Sequence, residues 1–197
     1  MTPQADSILE LFRSRGAYLQ GHFRLTSGLH SSEYLQSALV LQHPDAAEAL
    51  GKRLAAELQQ LGTGKIDLVV SPALGGLIIG HEVARALGVR FLFTERDGAS
   101  GKMTLRRGFQ LNRGESCVVV EDVITTGGST REVIDLLTAE GVRVLAAGSL
   151  IDRSGGRADV GVPRTALATL AVSTYEPAQC PLCAQGLPAV KPGSRPT

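Results

Sequence analysis

Cys117-Val118-Val119-Val120-Glu121-Asp122-Val123-Ile124-Thr125-Thr126-Gly127-Gly128-Ser129-Thr130 reads as a buried strand that ends in two adjacent carboxylates and turns at once through hydroxyls and glycines. Where a strand turns into a helix, the first helical N–H groups lack partners and carry partial positive charge, so anions settle there. Gly127 and Gly128 let the backbone approach a ligand, and Thr125, Thr126, Ser129 and Thr130 add hydroxyl donors. Two acids one step upstream would repel a bare phosphate, whereas a ribose between them supplies hydroxyls at the right distance. The segment therefore fits a ribose 5-phosphate. It has neither the lysine of a nucleotide-binding P-loop nor the spaced glycines of a dinucleotide-binding turn. The competing reading is a strand, turn and helix whose glycines serve turn geometry alone.

Outward from this stretch the chain alternates. Strands are expected over residues 66–70, 89–93, 116–120 and 143–151, and helices over 76–87 and 129–139. That rhythm predicts an α/β fold with a parallel sheet covered on both faces, its strand carboxyl ends converging on one edge. Upstream, Pro44 starts a helix whose apolar face runs Ala47, Leu50, Leu54, Leu58 and Leu61 before Gly62. A shorter amphipathic helix over residues 7–15 carries Ile8, Leu9, Leu11 and Phe12, with Gly16 at its cap. Residues 17–41 are irregular and β-like, with Gly21 and Gly28 marking turns. Five of the nine prolines lie from Pro177 onward, so the last segment is expected to be loop-like and to fray at residues 191–197.

Residues 120–129 resemble the signature for 5-phosphoribosyl 1-pyrophosphate (PRPP) of the type I phosphoribosyltransferases, and nearly the whole chain resembles the orotate phosphoribosyltransferases among them. The resemblance implies a parallel sheet with helices on both faces and a small hood, in a single domain with hood residues 1–43 and 172–197 and core residues 44–171. It implies a pentosyltransferase that moves 5-phosphoribosyl from PRPP to orotate in UMP biosynthesis. On this reading Glu121, Asp122, Val123, Ile124, Thr125, Thr126, Gly127, Gly128 and Ser129 hold PRPP, with the two acids also facing the charge that develops on the ribose. Ala73, Leu74 and Gly75, in a second turn rich in small residues after Val70, resemble the pyrophosphate loop.

Residues 95–107 hold Arg96, Lys102, Arg106 and Arg107 among glycines and serines, and read as a mobile cationic lid over the leaving group. The resemblance assigns Arg96 to PRPP and makes Lys102 the candidate for neutralising pyrophosphate. It also implies a homodimer whose lids reach the neighbouring subunit. Thr125, Arg153, Tyr34 and Leu35 match the positions that meet orotate, Leu35 standing where the family has a ring. A guanidinium suits a planar base that carries a carboxylate, although Arg153 could equally serve a salt bridge with Asp152. Lysines of the best-known branch are absent at Thr26 and Gly75. Mg²⁺ is the implied cofactor, held by PRPP and water rather than by a protein cage.

At 197 residues and 43% hydrophobic content the chain suits one well-buried domain. Its net charge of +1 supplies no field for nucleic acid or anionic membrane, which counts against the alternative of a PRPP-sensing regulator that reads DNA. A purine or other pyrimidine acceptor is the remaining enzymatic alternative, since phosphate loops do not report the base. The amino terminus lacks a signal-peptide pattern and no stretch reaches a membrane span, so a cytoplasmic location is expected. Cys117 is expected in the core. Cys180-Pro181-Leu182-Cys183 has zinc-knuckle spacing, but zinc needs about four ligands and the chain has no second cysteine pair, so two ordinary thiols in a tail are expected.

Overall fold

The computed structural model describes residues 3–25, 27–62 and 64–192. Thr26 and the terminal residues 193–197, both singled out above, lie outside the described residues. Helix α1 (Pro3–Ser14) buries Ile8, Leu9 and Phe12. Strands β1 (Tyr18–Arg24) and β2 (His30–Leu35) form an antiparallel hairpin across Gly28. Gly21 does not make a turn. It lies inside β1, where the pairing register shifts between Gln20 and Phe23, a bulge that re-aims the side chains around it.

After one turn of helix, α2 (Ala38–Leu41), helix α3 (Pro44–Gln60) buries Ala47, Leu50, Leu54 and Leu58 at three- and four-residue steps. Leu61, expected on the same face, falls past the helix end and is exposed. Strand β3 (Leu68–Pro72), helix α4 (Gly76–Leu87), strand β4 (Arg90–Arg96), then, after a short strand β5 (Met103–Leu105) that falls in the stretch expected to be a loop, strand β6 (Ser116–Ile124), helix α5 (Gly128–Ala139) and strand β7 (Arg143–Asp152) follow the expected alternation. Strands β8 (Arg164–Thr169) and β9 (Thr174–Tyr175) and the short helix α6 (Pro181–Ala184) complete the order.

The main sheet runs β5-β4-β3-β6-β7-β8, parallel except for β5, which returns antiparallel to β4. Alternation along the central strands sorts the core into two layers. Val69, Val118 and Val120 pack with α1, α3 and α4, whereas Leu68, Val70, Cys117 and Val119 pack with Val133, Ile134 and Leu137 of α5. Cys117 is fully buried, and burial pushes its thiol up to about 12, so it is an inert core residue.

Strand order positions the site. From β3 the chain winds outward one way through β4 and then returns to lay β6, β7 and β8 on the other side. The crevice at the carboxyl ends of β3 and β6 is therefore a topological switch point, where open α/β sheets bind ligands. A second, small sheet, β1-β2-β9, joins the amino-terminal hairpin to a carboxyl-terminal strand. No described helix is long and apolar enough to cross a membrane.

Candidate active site

Two strand-to-helix turns flank the switch point. After β6, residues 125–127 lead into α5, and Gly127 takes φ of +84° as its N-cap. The position has no room for a side chain either, since a Cβ there would lie 2.8 Å from Val160 Cγ1. Thr125, Thr126 and Gly128 are exposed around a small cup that Glu121, Val123, Ile124, Ser129 and Thr130 also line. First-turn amides of α5 and the surrounding hydroxyls thus point at one place, as a phosphate requires.

After β3, Ala73, Leu74 and Gly75 lead into α4, and the peptide between Ala73 and Leu74 is cis. The Ala73 amide is already donated to Thr94 O at 2.8 Å, which leaves the following amides to meet an anion. Gly75 explains how the turns communicate: a Cβ on it would lie 2.5 Å from Asp122 Oδ1. The Asp122 carboxylate rests where a larger residue would stand, so the acid at the end of β6 borders both turns. It accepts the amide of Val123 at 2.8 Å and lines the neighbouring cleft.

Glu121, its neighbour, is 9% exposed and points the other way along the pleat. Burial first, then the adjacent Asp122, pushes its carboxyl well above the usual glutamate range. A carboxyl raised in the folded state costs nothing below its unfolded value and progressively destabilises the fold as pH climbs towards the folded one. Glu121→Gln is therefore expected to raise Tm relative to wild type increasingly above pH 4.5, the ordinary glutamate value, and to show no such trend below it. Thermal melts of both proteins across pH 3.5 to about 8 measure this, and a pH-independent difference would contradict it.

A cleft of about 260 Å³ brings together Tyr34, Leu35, Asp122, Val123, Thr125 and Arg153, with Leu25, Ser27 and Gln36. Each expected base-contacting residue thus borders one space. Tyr34 is half-buried and tilts against Phe23 at 5.8 Å between ring centroids, whereas Leu35 is 5% exposed and spends most of its side chain in the core. Arg153 is buried and held by Nη2, which donates to Ser31 Oγ at 3.2 Å and Glu33 O at 3.1 Å. Its Nε has no partner among the described residues. Asp152 does not pair with it. That carboxylate accepts Ser154 N and Oγ and Gly156 N and binds Arg164 Nη1 at 2.7 Å, bracing the loop after β7. Burial alone would raise Asp152, but the bonds from Ser154 and Arg164 outweigh it and hold the carboxyl below its usual value. The Arg153 cation consequently faces the cleft without a carboxylate partner among the described residues, which costs free energy unless an anion arrives.

Residues 95–107 form an ordered hairpin of β4 and β5. Its turn is organised by Asp97, whose Oδ1 accepts the amides of Ala99 and Ser100. Arg96 binds Glu132 of α5 at 2.9 Å and Ser129 Oγ at 3.2 Å, so it reaches the phosphate turn through Ser129. Arg107 is committed to Glu95 through two bonds of 2.8 and 2.7 Å. Lys102 lies beside Glu132, Asp135 and Leu136 on α5, away from the lining of the Asp122 cleft. Sequence reasoning missed Arg157, an exposed cation lining an adjoining cavity of about 300 Å³ with Thr125, Thr126 and Arg153. Its signal was available in the run Asp152-Arg153-Ser154-Gly155-Gly156-Arg157, another glycine-bearing turn after a central strand.

Cys180 and Cys183 also differ from expectation. They are not loose tail thiols: Cys180 is 3% exposed, and both sulfurs pack against His22 and His30 of the hairpin. Nothing in the local sequence announces this, because the partners lie more than a hundred residues upstream.

A switch-point crevice with one anion turn on each side, an acid pair between them and a cation-lined cleft beside the ribose position defines a phosphoribosyltransferase, and residues 39–167 match the phosphoribosyl transferase domain. Over 190 residues the chain is 55% identical to the orotate phosphoribosyltransferase of Heliobacterium modesticaldum, covering 96% of this chain and 98% of that one. It is 57% identical to the orotate phosphoribosyltransferase of Pelotomaculum thermopropionicum, covering 96% and 97%. Among solved structures, the orotate phosphoribosyltransferase from Aeropyrum pernix aligns with TM-score 0.69 and 28% identity over 83% of this chain and 93% of that one. The chain belongs to the orotate phosphoribosyltransferase family.

Proposed function

We infer that the protein transfers 5-phosphoribosyl from PRPP to a ring nitrogen of orotate, giving orotidine 5′-phosphate and pyrophosphate. The bond from C1′ to the pyrophosphate oxygen breaks, the bond from C1′ to nitrogen forms on the opposite face, and the leaving oxygen keeps the electron pair. The observation that carries the base assignment is Arg153: buried, fixed by β2, unpaired at Nε, and bordering the same cleft as Asp122 and Tyr34. A planar anionic base satisfies that guanidinium where a neutral purine leaves it desolvated and unpaired.

Positive charge grows on the ribose in the transition state while negative charge grows on pyrophosphate. Asp122, bordering both turns, faces the first. The amides opening α4 face the second. The 5-phosphate sits in the turn of Thr125 to Ser129, and Thr125 borders both this turn and the base cleft. Mg²⁺ enters as the PRPP complex, a role that suits a cleft offering one acid pair rather than a carboxylate cage. Lys102 lies on the β4–β5 hairpin away from this chain's own base cleft, which fits a cation presented to a neighbouring subunit in a homodimer, whereas Arg96 is tied to Ser129 of its own phosphate turn. The small β1-β2-β9 sheet acts as the hood over the base, and the setting we infer is the cytosol.

Incubation with Mg²⁺, PRPP and a panel of free bases tests the reading. Loss of orotate absorbance with equimolar pyrophosphate release is expected. Consumption of adenine, hypoxanthine or uracil in preference to orotate would overturn it.

A further inference from the structure

His22, His30, Cys180 and Cys183 converge away from the catalytic crevice, on the carboxyl-terminal side of the small sheet. Their ligating atoms all lie within 4.8 Å of one another. Two come from the hairpin: His22 sits in the bulge of β1 and His30 opens β2. The other two flank the first turn of α6 after a 3-10 turn at Pro177–Gln179, where Ala184 N donates to Cys180 O and Gly186 N to Cys183 O, so the chain folds as a tight knuckle around the sulfurs. The geometry points to a structural Zn²⁺ site of the Cys₂His₂ type, one per chain, that clamps the carboxyl-terminal segment onto the hairpin.

Hydrogen bonding does not account for the cluster. His22 Nδ1 lies 2.7 Å from Leu187 O, which can only accept, so the proton of the neutral ring is on Nδ1 and Nε2 is a bare lone pair. Onto that one lone pair converge His30 Nδ1 at 2.8 Å, Cys180 Sγ at 3.5 Å and Cys183 Sγ at 3.8 Å. Cys183 has further contacts, with His30 Nδ1 at 3.3 Å and with Cys180, but these join the same four groups to one another, and a single cation satisfies all four lone pairs at once. The bond from His22 Nδ1 to a backbone carbonyl is also the arrangement by which a metal-bound histidine is oriented and its tautomer set.

Distances agree with a tetrahedron. Zn–S of about 2.3 Å and Zn–N of about 2.05 Å at tetrahedral angles separate N from S by about 3.6 Å. Three of the four sulfur-to-nitrogen distances are 3.5, 3.8 and 3.3 Å, and no two of the ligating atoms are more than 4.8 Å apart. The His22–His30 nitrogens would part by about 0.5 Å to reach the N···N edge of the same tetrahedron. Burial points the same way: His22, His30 and Cys180 are 5%, 7% and 3% exposed, and Cys183 closes the cluster from the solvent side. Two thiolates with two imidazoles select Zn²⁺ over Mg²⁺, which prefers oxygen ligands.

Val190 N donates to His22 O and Arg24 N to Val190 O, so the last described strand-like residues are held to β1 by two backbone bonds and the bridge of Phe23 to Val190. A metal linking residues 22 and 30 to 180 and 183 closes a long loop and contributes its binding free energy to the folded state only.

The full chain, purified without chelators, is to be analysed by inductively coupled plasma mass spectrometry. About one zinc per chain is expected, with Cys183→Ser and His30→Asn each lowering zinc content about tenfold or more. Cys117→Ala, in the core of the other domain layer, should keep its zinc. Should the ligand variants fail to fold, the wild type grown in cobalt-supplemented medium provides the second measurement. Thiolate-to-cobalt charge transfer and intense tetrahedral d–d bands, bleached by added Zn²⁺, are expected. A wild-type chain without stoichiometric zinc and without that spectrum, zinc retained in both ligand variants, or a Cys180–Cys183 disulfide in the intact mass of the freshly purified protein would overturn the site.

Discussion

Asp122→Asn is expected to lower kcat by about 10²–10³-fold, the range that follows loss of one group aimed at developing transition-state charge. The carboxylate borders both anion turns and the base cleft. Its bonds are local, with the amide of Val123 and the side chain of its neighbour Glu121, and an asparagine side chain can keep both. The substitution keeps shape and removes charge. Tm should therefore move by no more than about 2–4 °C, the shift that follows a change of about 1 kcal/mol in a domain of this size. Steady-state rates with saturating PRPP and orotate, set beside a thermal melt, measure both. Parallel loss of activity and stability would show that Asp122 holds the strand end rather than the ribose.

Arg153→Lys should reduce kcat/KM for orotate by about 30- to 5,000-fold, which corresponds to the roughly 2–5 kcal/mol attached to breaking a buried, hydrogen-bonded charge contact. The ammonium retains a positive charge but lacks the fork by which Nη2 bonds Ser31 Oγ and Glu33 O while the guanidinium borders the cleft. The loss should fall on KM for orotate more than on KM for PRPP. Uracil, which lacks the carboxylate, is the control. Its weak turnover should change much less, so that the preference for orotate over uracil collapses. An equal loss for both bases would mean that Arg153 supports the β2 backbone and does not read the carboxylate.

These two residues also show how unevenly the site is written into the chain. Asp122 could be found from its neighbours, since an apolar strand, an acid pair and a hydroxyl-glycine turn are contiguous and their geometry is local. Arg153 could be proposed by resemblance, but the choice between an orotate contact and a pair with Asp152 needed the fold: Arg164, twelve residues on, takes the aspartate. Lys102 and Arg107 show the opposite limit. A run of cations looked like one lid, yet Asp97 organises it into a hairpin and Glu95 and Glu132 claim Arg107 and Arg96. Charge is visible in a sequence, whereas its neutralisation by residues far along the chain is not.

Local physics determined the core of the reading. Hydrophobic runs, helix caps and the turn after Val120 depend on neighbours within about one turn of helix or strand, so the sequence alone determined the alternating α/β order, the place of the phosphate turn on the carboxyl edge of the sheet and the identity of its acids. Short strands such as β5 and β9 carried too few residues for a period to stand out, and only the tertiary structure decided that they exist. It also decided the contact of Gly75 with Asp122, because that contact joins the ends of two strands separated by a helix and a hairpin. The same holds for the four metal-ligating residues: Cys180 and Cys183 displayed half a tetrahedron, and the missing half lay on a bulged hairpin at the other end of the chain, brought near only by the pairing of β9 with β2.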